Sequence, residues 1–547
     1  MEVDTADQFD KAPQACVSCR KQKRKCDKLL PSCSLCTRMS RPCDYSETAP
    51  NPTSEDFALM RQKISDLEAR LEGRRSEGWH GPIRSFSRSP GTGGEAAFAT
   101  DSNVIFPAAF FLDAEVYAQA QLTIPRPNIA VPAEVAATVG VSILDIQDIV
   151  DRYFANIHTW LPFISKKRLQ LTLSNPAMEL TLDLALLLLS MKLIIQVPQG
   201  GSQSIRSPLY NLTKGYATMV ESSGLMSLQL LQANILIAAY EVGHAIYPAA
   251  YLSTGHCARL GHALGLNDRQ HAPQMLKKRT GAWAELEEFK RTWWATMLLD
   301  RYVNLGSSGH PLATDDPVVN DTLPADDELW DEGQITTSEP LYVSSPTNVK
   351  AGAFTRTCQA THLLGRLVRL LNDRLLDASM RFSEAIQLHR TLQALANLLP
   401  NDVHHSPERY GTPLALCYSS LLHLSDPFAC TESNRGYRTV EETEMQTIAI
   451  AGLKSVAADV LRFSQLWHVD MTSNPAAVSP LLGDCLYFAA TIYAWLANET
   501  GQQEMGDAYH ILRKVLETMG SRWAVAQQYL ILLDMSKEHL YADSLLV

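Results

Sequence analysis

Apolar residues recur at helical spacing along most of the chain after about residue 105. In each run they step by three or four residues, so that one face of a helix would be apolar. Three such runs cover residues 143–160, 388–399 and 512–523. Alternating patterns typical of strands are scarce, and Pro162 and Pro400 stand where two of the runs end. The pattern predicts a mostly α protein with a large all-α domain over residues 105–547.

The longest apolar stretch lies between residues 180 and 197 and includes Asp183 and Lys192. A transmembrane helix needs about 20 apolar residues with few or no charges, so this stretch favours a buried helix of a globular domain. The first ten residues are acidic and lack the apolar core of a signal peptide. We therefore expect an intracellular, soluble chain with no membrane partner.

A shorter helical pattern lies nearer the N-terminus, at residues 57–72. Its apolar residues follow the a and d positions of about two heptads. They are Phe57, Met60, Ile64, Leu67 and Leu71. A polar linker (47–56) precedes this segment, and a flexible Gly/Ser/Arg-rich linker (73–104) follows it. The position between two linkers favours a short coiled coil that forms a homodimer over a single amphipathic helix on a domain surface.

Charge is distributed unevenly along the 547 residues, which are too many for one hydrophobic core. The whole chain has a formal net charge of −11. Residues 11–45, however, contain nine Lys or Arg and two Asp, a net charge of +7, which leaves −18 for the rest. A basic segment on an acidic body favours binding of that segment to a polyanion over a solvated basic tail.

Cysteines are concentrated in the same basic segment. Six of the eleven form two repeats of C-x2-C-x6-C, namely Cys16, Cys19, Cys26, Cys33, Cys36 and Cys43. Without a secretory signal, clustered cysteines indicate a metal site rather than disulfide bonds. The other five are isolated and are expected to be small buried apolar residues. They are Cys257, Cys358, Cys417, Cys430 and Cys485.

Ligand counting then favours two zinc ions. A tetrahedral zinc takes four ligands, so two separate sites need eight, and the segment contains no histidine. Six cysteines supply eight ligand positions if two thiolates each bridge both ions. A single zinc with spare thiols, or an iron–sulfur site, is the alternative. Because so short a segment with few apolar residues cannot form a stable core, the metal would also hold its fold together.

A run of basic residues lies between the second and third cysteines, from Arg20 to Lys25. Six thiolates and two Zn²⁺ would leave about −2 at the cluster, so about +5 of the charge of the segment would remain on its surface. A compact, positively charged helix of this kind suits the major groove of DNA and the phosphates beside it.

These residues resemble a known DNA-binding domain. Residues 15–45 are similar to the DNA-binding domain of fungal Zn2Cys6 binuclear-cluster transcription factors, a module that places a helix in the groove. The shared signature is C-x2-C-R-x2-K-x-[KR]-C-D, with a proline two residues before the fourth cysteine. Here it is met by Arg20, Lys23, Lys25, Asp27 and Pro31.

The resemblance implies roles for the six cysteines within a domain at residues 12–46. Cys16 and Cys33 would be the bridging thiolates. The remaining pairs, one for each zinc ion, would be Cys19 with Cys26 and Cys36 with Cys43.

The resemblance also implies how the basic helix would bind double-stranded DNA. Lys23 would read guanine edges in a CGG-like half-site, with Gln22 as a second candidate for a base contact. The residues expected to bind phosphates are Arg20, Lys21, Arg24 and Lys25. The coiled coil would then pair two such domains, and the linker before it would set the half-site spacing.

Weaker resemblance extends into the helical region. Residues 153–169 look like the start of the family's middle homology region, and residues 291–316 look like its W-W-x5-D-R segment. The family often has Gly-Arg-Pro where this chain has Gly-His-Pro around His310, so no role of that arginine is carried over. The resemblance covers about 145–335 and implies an all-α regulatory domain.

Residues 326–332 are strongly acidic around Trp330 and are a candidate activation segment. Because similar LP-x-DD-x-W stretches recur inside the family's helical domain, we favour a solvated loop with one anchoring tryptophan. The C-terminal residues 536–547 are a second candidate for activation.

Together these features predict a pathway-specific, zinc-dependent transcription factor with two zinc ions per chain. It would regulate RNA polymerase II transcription in the nucleus, for example of a secondary-metabolite gene cluster, and residues 21–25 also fit a nuclear-import signal. The alternative is a small-molecule receptor whose helical domain senses a metabolite and whose zinc module targets it to chromatin. An enzyme is not expected, because His256–Cys257 and the other candidate groups form no catalytic constellation in the sequence.

Overall fold

A computed structural model describes most of the chain. The described residues are 11–12, 14–21, 24–45, 108–120, 126–140, 142–197, 205–268, 282–306, 309–334, 339–346, 348–429 and 439–544. They belong to two compact units, one within Met1–Phe98 and one within Ala99–Val547. The predicted coiled coil (57–72) and both predicted linkers (47–56 and 73–104) lie outside the described residues.

The N-terminal unit contains two short helices, α1 (Val17–Lys21) and α2 (Ser34–Arg38). An isolated bridge pairs Lys11 with Leu29. The buried core of this unit is made of cysteines, so large apolar side chains contribute little to its stability.

Helices make up most of the described part of the larger unit, and an isolated bridge pairs Thr322 with Tyr342. Its helices are α3 (Ala109–Leu112), α4 (Ala114–Gln119), α5 (Ala133–Val139), α6 (Ile143–Asn156), α7 (Lys166–Leu173), α8 (Leu182–Ile195), α9 (Pro208–Ser222), α10 (Leu228–Gly243), α11 (Ala249–Ala263), α12 (Trp283–Tyr302), α13 (Asp327–Asp331), α14 (Ala353–Asn372), α15 (Ala378–Leu398), α16 (Pro400–His405), α17 (Pro407–Ala429), α18 (Val440–Ser473), α19 (Gly483–Thr500), α20 (Gln503–Gly520) and α21 (Ala524–Ser544). Within the described ranges no strand is present, which confirms the predicted mostly α fold.

Helix α8 is the predicted buried helix. Thirteen of its fourteen residues are buried, and the exception, Lys192, is half-buried. The Lys192 ammonium donates a hydrogen bond to the backbone oxygen of Thr138 at 2.6 Å. Near the other end, the Asp183 carboxylate accepts hydrogen bonds from the Thr181 hydroxyl (2.7 Å) and the Leu184 N–H (3.1 Å). The two charges of this apolar stretch are therefore satisfied near the ends of a core helix.

A second apolar segment, Pro480–Thr500, is long and apolar enough to cross a membrane by length and composition. However, 61% of its most apolar window is buried inside the larger unit. Core helices of soluble proteins can be equally long and apolar. Because most of this segment is buried inside the unit, it is packed as part of the core.

Helix α6 shows how its start and end are determined. It begins with a capping box, in which the Ser142 hydroxyl accepts from the Asp145 N–H (3.2 Å) and the Asp145 carboxylate accepts from the Ser142 N–H (3.0 Å). The helix ends at Asn156, four residues before the predicted run ends. Trp160 is nevertheless only 1% exposed, because the chain turns back into the core after the last helical turn.

A fully buried arginine joins three helices. Arg291 on α12 is 0% exposed, and its guanidinium donates to Glu287 Oε1 (3.1 Å) and Asp327 Oδ1 (2.8 Å). It also lies 4.1 Å from the ring centre of Trp330 on α13. The Asp327 carboxylate in turn accepts from the Phe354 N–H at 3.0 Å, in the first turn of α14. These contacts fix α12, α13 and α14 relative to one another.

The same contacts correct the prediction for residues 326–332. Trp330 is the expected anchor, but the segment is a short helix rather than a solvated loop. Asp326 caps this helix by accepting from the Leu329 N–H at 3.2 Å. Asp327 is buried because a guanidinium compensates its charge.

Arg522 connects the last part of the chain to α8. It is 2% exposed, and its guanidinium donates to the backbone oxygens of Ile194 (2.5 Å) and Gln196 (3.2 Å) at the end of that helix. A cation at a helix C-terminus compensates the partial negative charge of the free carbonyls. The next residue, Trp523, is fully buried, and a Cβ added at Gly243 would lie 2.4 Å from its ring. Residues 328 positions apart therefore share one contact.

Candidate zinc cluster and nucleic-acid interface

The two halves of the cysteine segment fold alike. Helix α1 follows Cys16, and helix α2 follows Cys33. In each half the C-x2-C spacing places the first two thiols about one helical turn apart, on the same side. Cys33 Sγ also accepts a hydrogen bond from the Cys36 N–H at 3.4 Å and so caps α2.

The sulfur atoms of all six cysteines come together. The Sγ–Sγ distances are 3.6 Å for Cys16–Cys36, 3.8 Å for Cys16–Cys33 and 3.8 Å for Cys19–Cys33. The six atoms form two groups of four, within each of which all sulfur atoms lie within 4.8 Å of one another. The groups are Cys16, Cys19, Cys26 and Cys33, and Cys16, Cys33, Cys36 and Cys43. The two groups share Cys16 and Cys33.

These distances fit tetrahedral zinc–thiolate sites. Zn–S bonds of about 2.3 Å place the sulfur atoms of a tetrahedron about 3.8 Å apart. The measured Sγ–Sγ distances of 3.6 and 3.8 Å match this separation, and the six cysteines are not joined by disulfides. Two groups of four with two shared members provide the eight ligand positions that two zinc ions need.

Hydrogen-bonding groups surround the sulfur atoms. The Cys33 N–H donates to Cys43 Sγ at 3.3 Å. The Tyr45 hydroxyl donates to the backbone oxygen of Leu29 at 2.9 Å and lies 4.0 Å from Cys26 Sγ. Such contacts orient thiolate ligands and reduce the negative charge concentrated on them.

The thiols of the cluster differ in acidity. Burial raises the pKa of the Cys36 thiol to about 12. Burial also opposes ionisation of Cys26 and Cys43, but hydrogen bonds to their sulfur atoms outweigh it and lower the pKa of each to about 7. Six thiolates so close together need compensating positive charge, which two divalent cations supply.

Asp27, directly after the third cysteine, has a structural role. Both of its carboxylate oxygens lie 3.2 Å from the Ser34 backbone nitrogen and accept its hydrogen. Hydrogen bonds to Ser34 lower the pKa of the Asp27 carboxyl. The contact joins the first half of the segment to the first turn of α2. The sequence shows Asp27 only as part of a signature, because spacing does not reveal a partner across the loop that contains Pro31.

The predicted DNA-binding residues lie on α1 and just after it. Arg20, Arg24 and Lys25 have exposed side chains. Lys21 is the last residue of α1, and Gln22 and Lys23 lie outside the described residues. The described part of the run therefore presents positive charge to solvent beside the cysteine cluster.

The isolated cysteines of the larger unit are buried, as expected. The described ones are Cys257, Cys358, Cys417 and Cys485, and Cys430 lies outside the described residues. His256 does not act on its neighbour, because its Nε2 lies 2.9 Å from Glu221 Oε1. Burial raises the pKa of the Cys257 thiol, which disfavours the nucleophilic thiolate. The two residues are therefore not a nucleophile–base pair.

Two family models match this chain. The model described as "Fungal Zn(2)-Cys(6) binuclear cluster domain" matches residues 14–52. The model described as "Fungal specific transcription factor domain" matches residues 150–405. A cysteine cluster of this geometry and a helical domain of this kind define a class of zinc-dependent transcription factors. The chain belongs to the fungal Zn2Cys6 transcription factors, so the resemblance seen in the sequence is confirmed.

Several proteins are similar to this chain. Transcription factor BOA15 from Botryotinia fuckeliana is 41% identical over 185 residues, which are 34% of this chain and 98% of that protein. Transcription factor tazR from Aspergillus terreus is 26% identical over 253 residues, 44% of this chain and 38% of that protein. Citrinin biosynthesis transcriptional activator mrl3 from Monascus ruber is 23% identical over 350 residues, 60% of this chain and 67% of that protein. No solved structure matches the chain.

Family membership settles three predictions. The domain at residues 14–52 binds two zinc ions through six cysteines, so the predicted cofactor is confirmed. Members of the family bind DNA and act as transcription factors, not as enzymes. The helical match at residues 150–405 also runs past the region 145–335 in which the sequence showed a resemblance.

Proposed function

We propose that this protein is a sequence-specific, DNA-binding regulator of RNA polymerase II transcription that acts in the nucleus. The observation that carries the proposal is the pair of overlapping cysteine groups that share Cys16 and Cys33. Directly beside this cluster, α1 leads into a run of exposed basic side chains. A metal-braced helix with positive charge at its end is the form in which this family presents a helix to the major groove.

The six cysteines would hold the two zinc ions, with Cys16 and Cys33 as bridging thiolates. The first ion would be bound by Cys16, Cys19, Cys26 and Cys33, and the second by Cys16, Cys33, Cys36 and Cys43. Each bound zinc supplies a fixed tetrahedral crosslink between the two halves of the segment. Because the buried core here consists of cysteines, the N-terminal unit depends on these crosslinks for its fold.

Zinc removal tests this dependence directly. We expect a strong chelator to abolish both the secondary structure of the N-terminal unit and DNA binding by the full chain, and added zinc to restore both. Gel-shift assays before and after chelation measure the binding. DNA binding that persists after complete removal of zinc would contradict the proposal.

The basic residues would bind DNA in two ways. Arg20, Lys21, Arg24 and Lys25 would bind phosphates, which gives affinity without sequence preference. Lys23 and Gln22 would contact base edges, with Lys23 on the guanines of a CGG-like half-site. The exposure of Arg20, Arg24 and Lys25 supports the phosphate role.

A homodimer would place two such domains on neighbouring half-sites. The support is the heptad pattern at residues 57–72, between linkers at 47–56 and 73–104. The linker before the coiled coil would determine the spacing between half-sites. The regulatory domain at residues 105–547 would control the activity of the bound dimer.

The target genes would belong to one biosynthetic pathway. Similar proteins are named as activators of pigment, citrinin and depudecin biosynthesis. These names support a cluster-specific regulator of secondary metabolism.

Two lysine variants separate base reading from phosphate binding. We expect Lys23→Ala to lower the affinity for CGG-containing DNA and also the preference for it over random DNA. Lys25→Ala should weaken both DNAs alike and reduce the slope of log K against log salt by about 0.9, the value for one phosphate. Fluorescence anisotropy at several salt concentrations measures both quantities. Equal effects of the two variants on specific and random DNA would contradict this division.

A further inference from the structure

The larger unit contains a cavity of about 870 Å³. It lies between two chain segments, residues 316–323 and 343–348, and the helices α14 and α15. Small-molecule sites in proteins measure roughly 300–1,000 Å³. The residues predicted to bind zinc and DNA belong to the other unit, so this cavity is a separate feature of the chain.

Apolar side chains form much of the cavity lining. Leu323 and Leu363 are 2% and 5% exposed, and Val343 and Ala394 also line the space. The Gln359 amide lines it as well, and its oxygen already accepts a hydrogen bond from Arg356 at 2.9 Å. The apolar part of a ligand would therefore be more favourable than water in contact with these side chains.

His362 adds a polar group with unused hydrogen-bonding capacity. Its ring lines the cavity, and within the described part of the chain its Nδ1 has no hydrogen-bond partner. Burial lowers the pKa of the imidazole, so the ring is neutral near pH 7 and can donate or accept a hydrogen bond. A buried polar atom without a partner is unfavourable, and a turn of the imidazole ring that brings Nδ1 to the cavity would let an oxygen atom of a ligand remove that cost.

The charged side chains of the lining are already paired. They are Arg366 with Glu384, Arg390 with Glu444 (2.7 Å), and Asp316 with Arg301 (3.1 Å) and Arg369 (2.6 Å). An ionic ligand would have to compete with these pairs, whereas an uncharged ligand would leave them intact.

We infer that this cavity binds a small, uncharged organic molecule with an apolar body and hydroxyl or carbonyl oxygens, which acts as an effector of the regulator. The effector role rests on the proposed function, whereas binding itself does not. The apolar lining would hold the body of the molecule, and the neutral amide and imidazole would bind its oxygens.

The cavity also has a physical connection to the core. Asp316 lines the cavity and accepts from Arg301, whose side chain is 1% exposed on α12. The Arg301 guanidinium further donates to the backbone oxygen of Asp315 at 2.9 Å. A ligand that shifts Asp315 and Asp316 would change the hydrogen bonds of Arg301, which is buried on a core helix. Ligand binding in the cavity would therefore affect the structure of the rest of the unit.

Dye binding to the full-length, zinc-loaded protein tests the site. Nile red, an uncharged and oxygen-containing dye, should bind with a saturable rise in fluorescence. Ala394→Trp fills the cavity from α15 and should weaken this binding about tenfold or more. Ala458→Trp, at an exposed position of α18, is the matched control and should bind like the wild type. If Ala394→Trp reduces helicity, Val319→Trp, from the exposed loop wall, replaces it.

The outcomes separate the site, its ligand class and the proposed function. Equal Nile red binding by wild type and both cavity variants would overturn the site. Tighter binding of the anionic dye anilinonaphthalene sulfonate, lost in Arg366→Gln, would overturn the uncharged class. Gel shifts with CGG-containing DNA should be the same for wild type and Ala394→Trp, since the zinc domain belongs to the other unit. If the wild type does not bind CGG-containing DNA, the result contradicts the proposed function but not the ligand site.

Discussion

Replacement of a cysteine shared by both sulfur groups should lower the number of zinc ions bound per chain more than replacement of an unshared cysteine. Cys33 belongs to both groups of four sulfur atoms, whereas Cys43 belongs to one. With these groups as the ligand sets, Cys33→Ser would leave each zinc with three thiolates, and Cys43→Ser would leave one zinc with its full set. We expect the first variant to lose both ions and the second to keep one.

The expected magnitude follows from the number of bonds removed. Structural zinc contributes about 10–16 kcal/mol in small zinc domains, or about 2.5–4 kcal/mol for each of four thiolates. Cys33→Ser would remove two Zn–S bonds, about 5–8 kcal/mol divided between the two ions. Cys43→Ser removes one, which weakens a single site by about a hundredfold to a thousandfold. Cys33 is also fully buried and caps α2, so its replacement disturbs the fold as well.

Zinc content per chain is the assay. The full-length variants are dialysed against a buffer with a low concentration of free zinc. The zinc that remains bound is then measured by inductively coupled plasma mass spectrometry. X-ray absorption of the wild type should show four sulfur neighbours per zinc, a number that six cysteines reach only by sharing. Cys417→Ser, in the other unit, is the control and should keep two ions. A Cys33→Ser protein that retains one tightly bound zinc would refute the shared-ligand geometry.

Three further changes test the larger unit, each by urea unfolding followed through tryptophan fluorescence. Asp327→Ala removes one of the two carboxylates paired with a fully buried guanidinium, together with the acceptor of the Phe354 N–H, and should destabilise the unit by about 3–5 kcal/mol. Gly243→Ala places a Cβ 2.4 Å from the Trp523 ring and should cost about 1–3 kcal/mol. Burial opposes protonation of His423, but the Asp484 carboxylate outweighs it and raises the pKa of the imidazole. The stabilisation is complete below the ordinary pKa of about 6.5 and is lost as the pH rises through the raised value, so stability should fall with pH less steeply in His423→Gln.

Matched controls make these three results specific. Asp148→Ala removes an exposed carboxylate and should change the stability by less than about 0.5 kcal/mol. Gly215→Ala adds a Cβ with no atom within 4 Å and should be neutral or stabilising. His510→Gln replaces an exposed histidine on another helix and is the control for the pH measurement. A change that matches its control would show that the named contact does not contribute as the structure implies.

The features that sequence predicted well depend on residues close together in the chain. The cysteine cluster could be predicted because all six ligands lie within 28 residues and zinc chemistry fixes how many each ion needs. Helix α8 could be predicted because its fourteen residues are almost entirely apolar. The base-reading role of Lys23 and the coiled coil at residues 57–72 remain predictions, because both lie outside the described residues.

The features that sequence missed depend on contacts between distant residues. The apolar pattern in the sequence extends to Trp160 and Trp523, beyond the last turns of α6 and α20. Both tryptophans are buried in the core although they lie outside these helices, so the pattern predicted helices that are too long. Asp327 was expected in solvent because its partner, Arg291, lies 36 positions away on another helix. The cavity beside His362 is formed by two chain segments and two helices, and no local pattern marks a space of that kind.

The contact between Arg522 and the end of α8 has a consequence for synthesis of the protein in the cell. A ribosome adds roughly 5–20 residues per second, so roughly 15–65 s pass between completion of α8 and arrival of the arginine 328 positions later. During that time the carbonyls at the end of α8 lack the guanidinium that they bind, and the surface of α10 at Gly243 lacks the Trp523 ring that covers it. We expect the unfinished chain to depend on chaperones, and a premature stop codon near the 3′ end of the gene to yield an aggregating product rather than a shortened regulator.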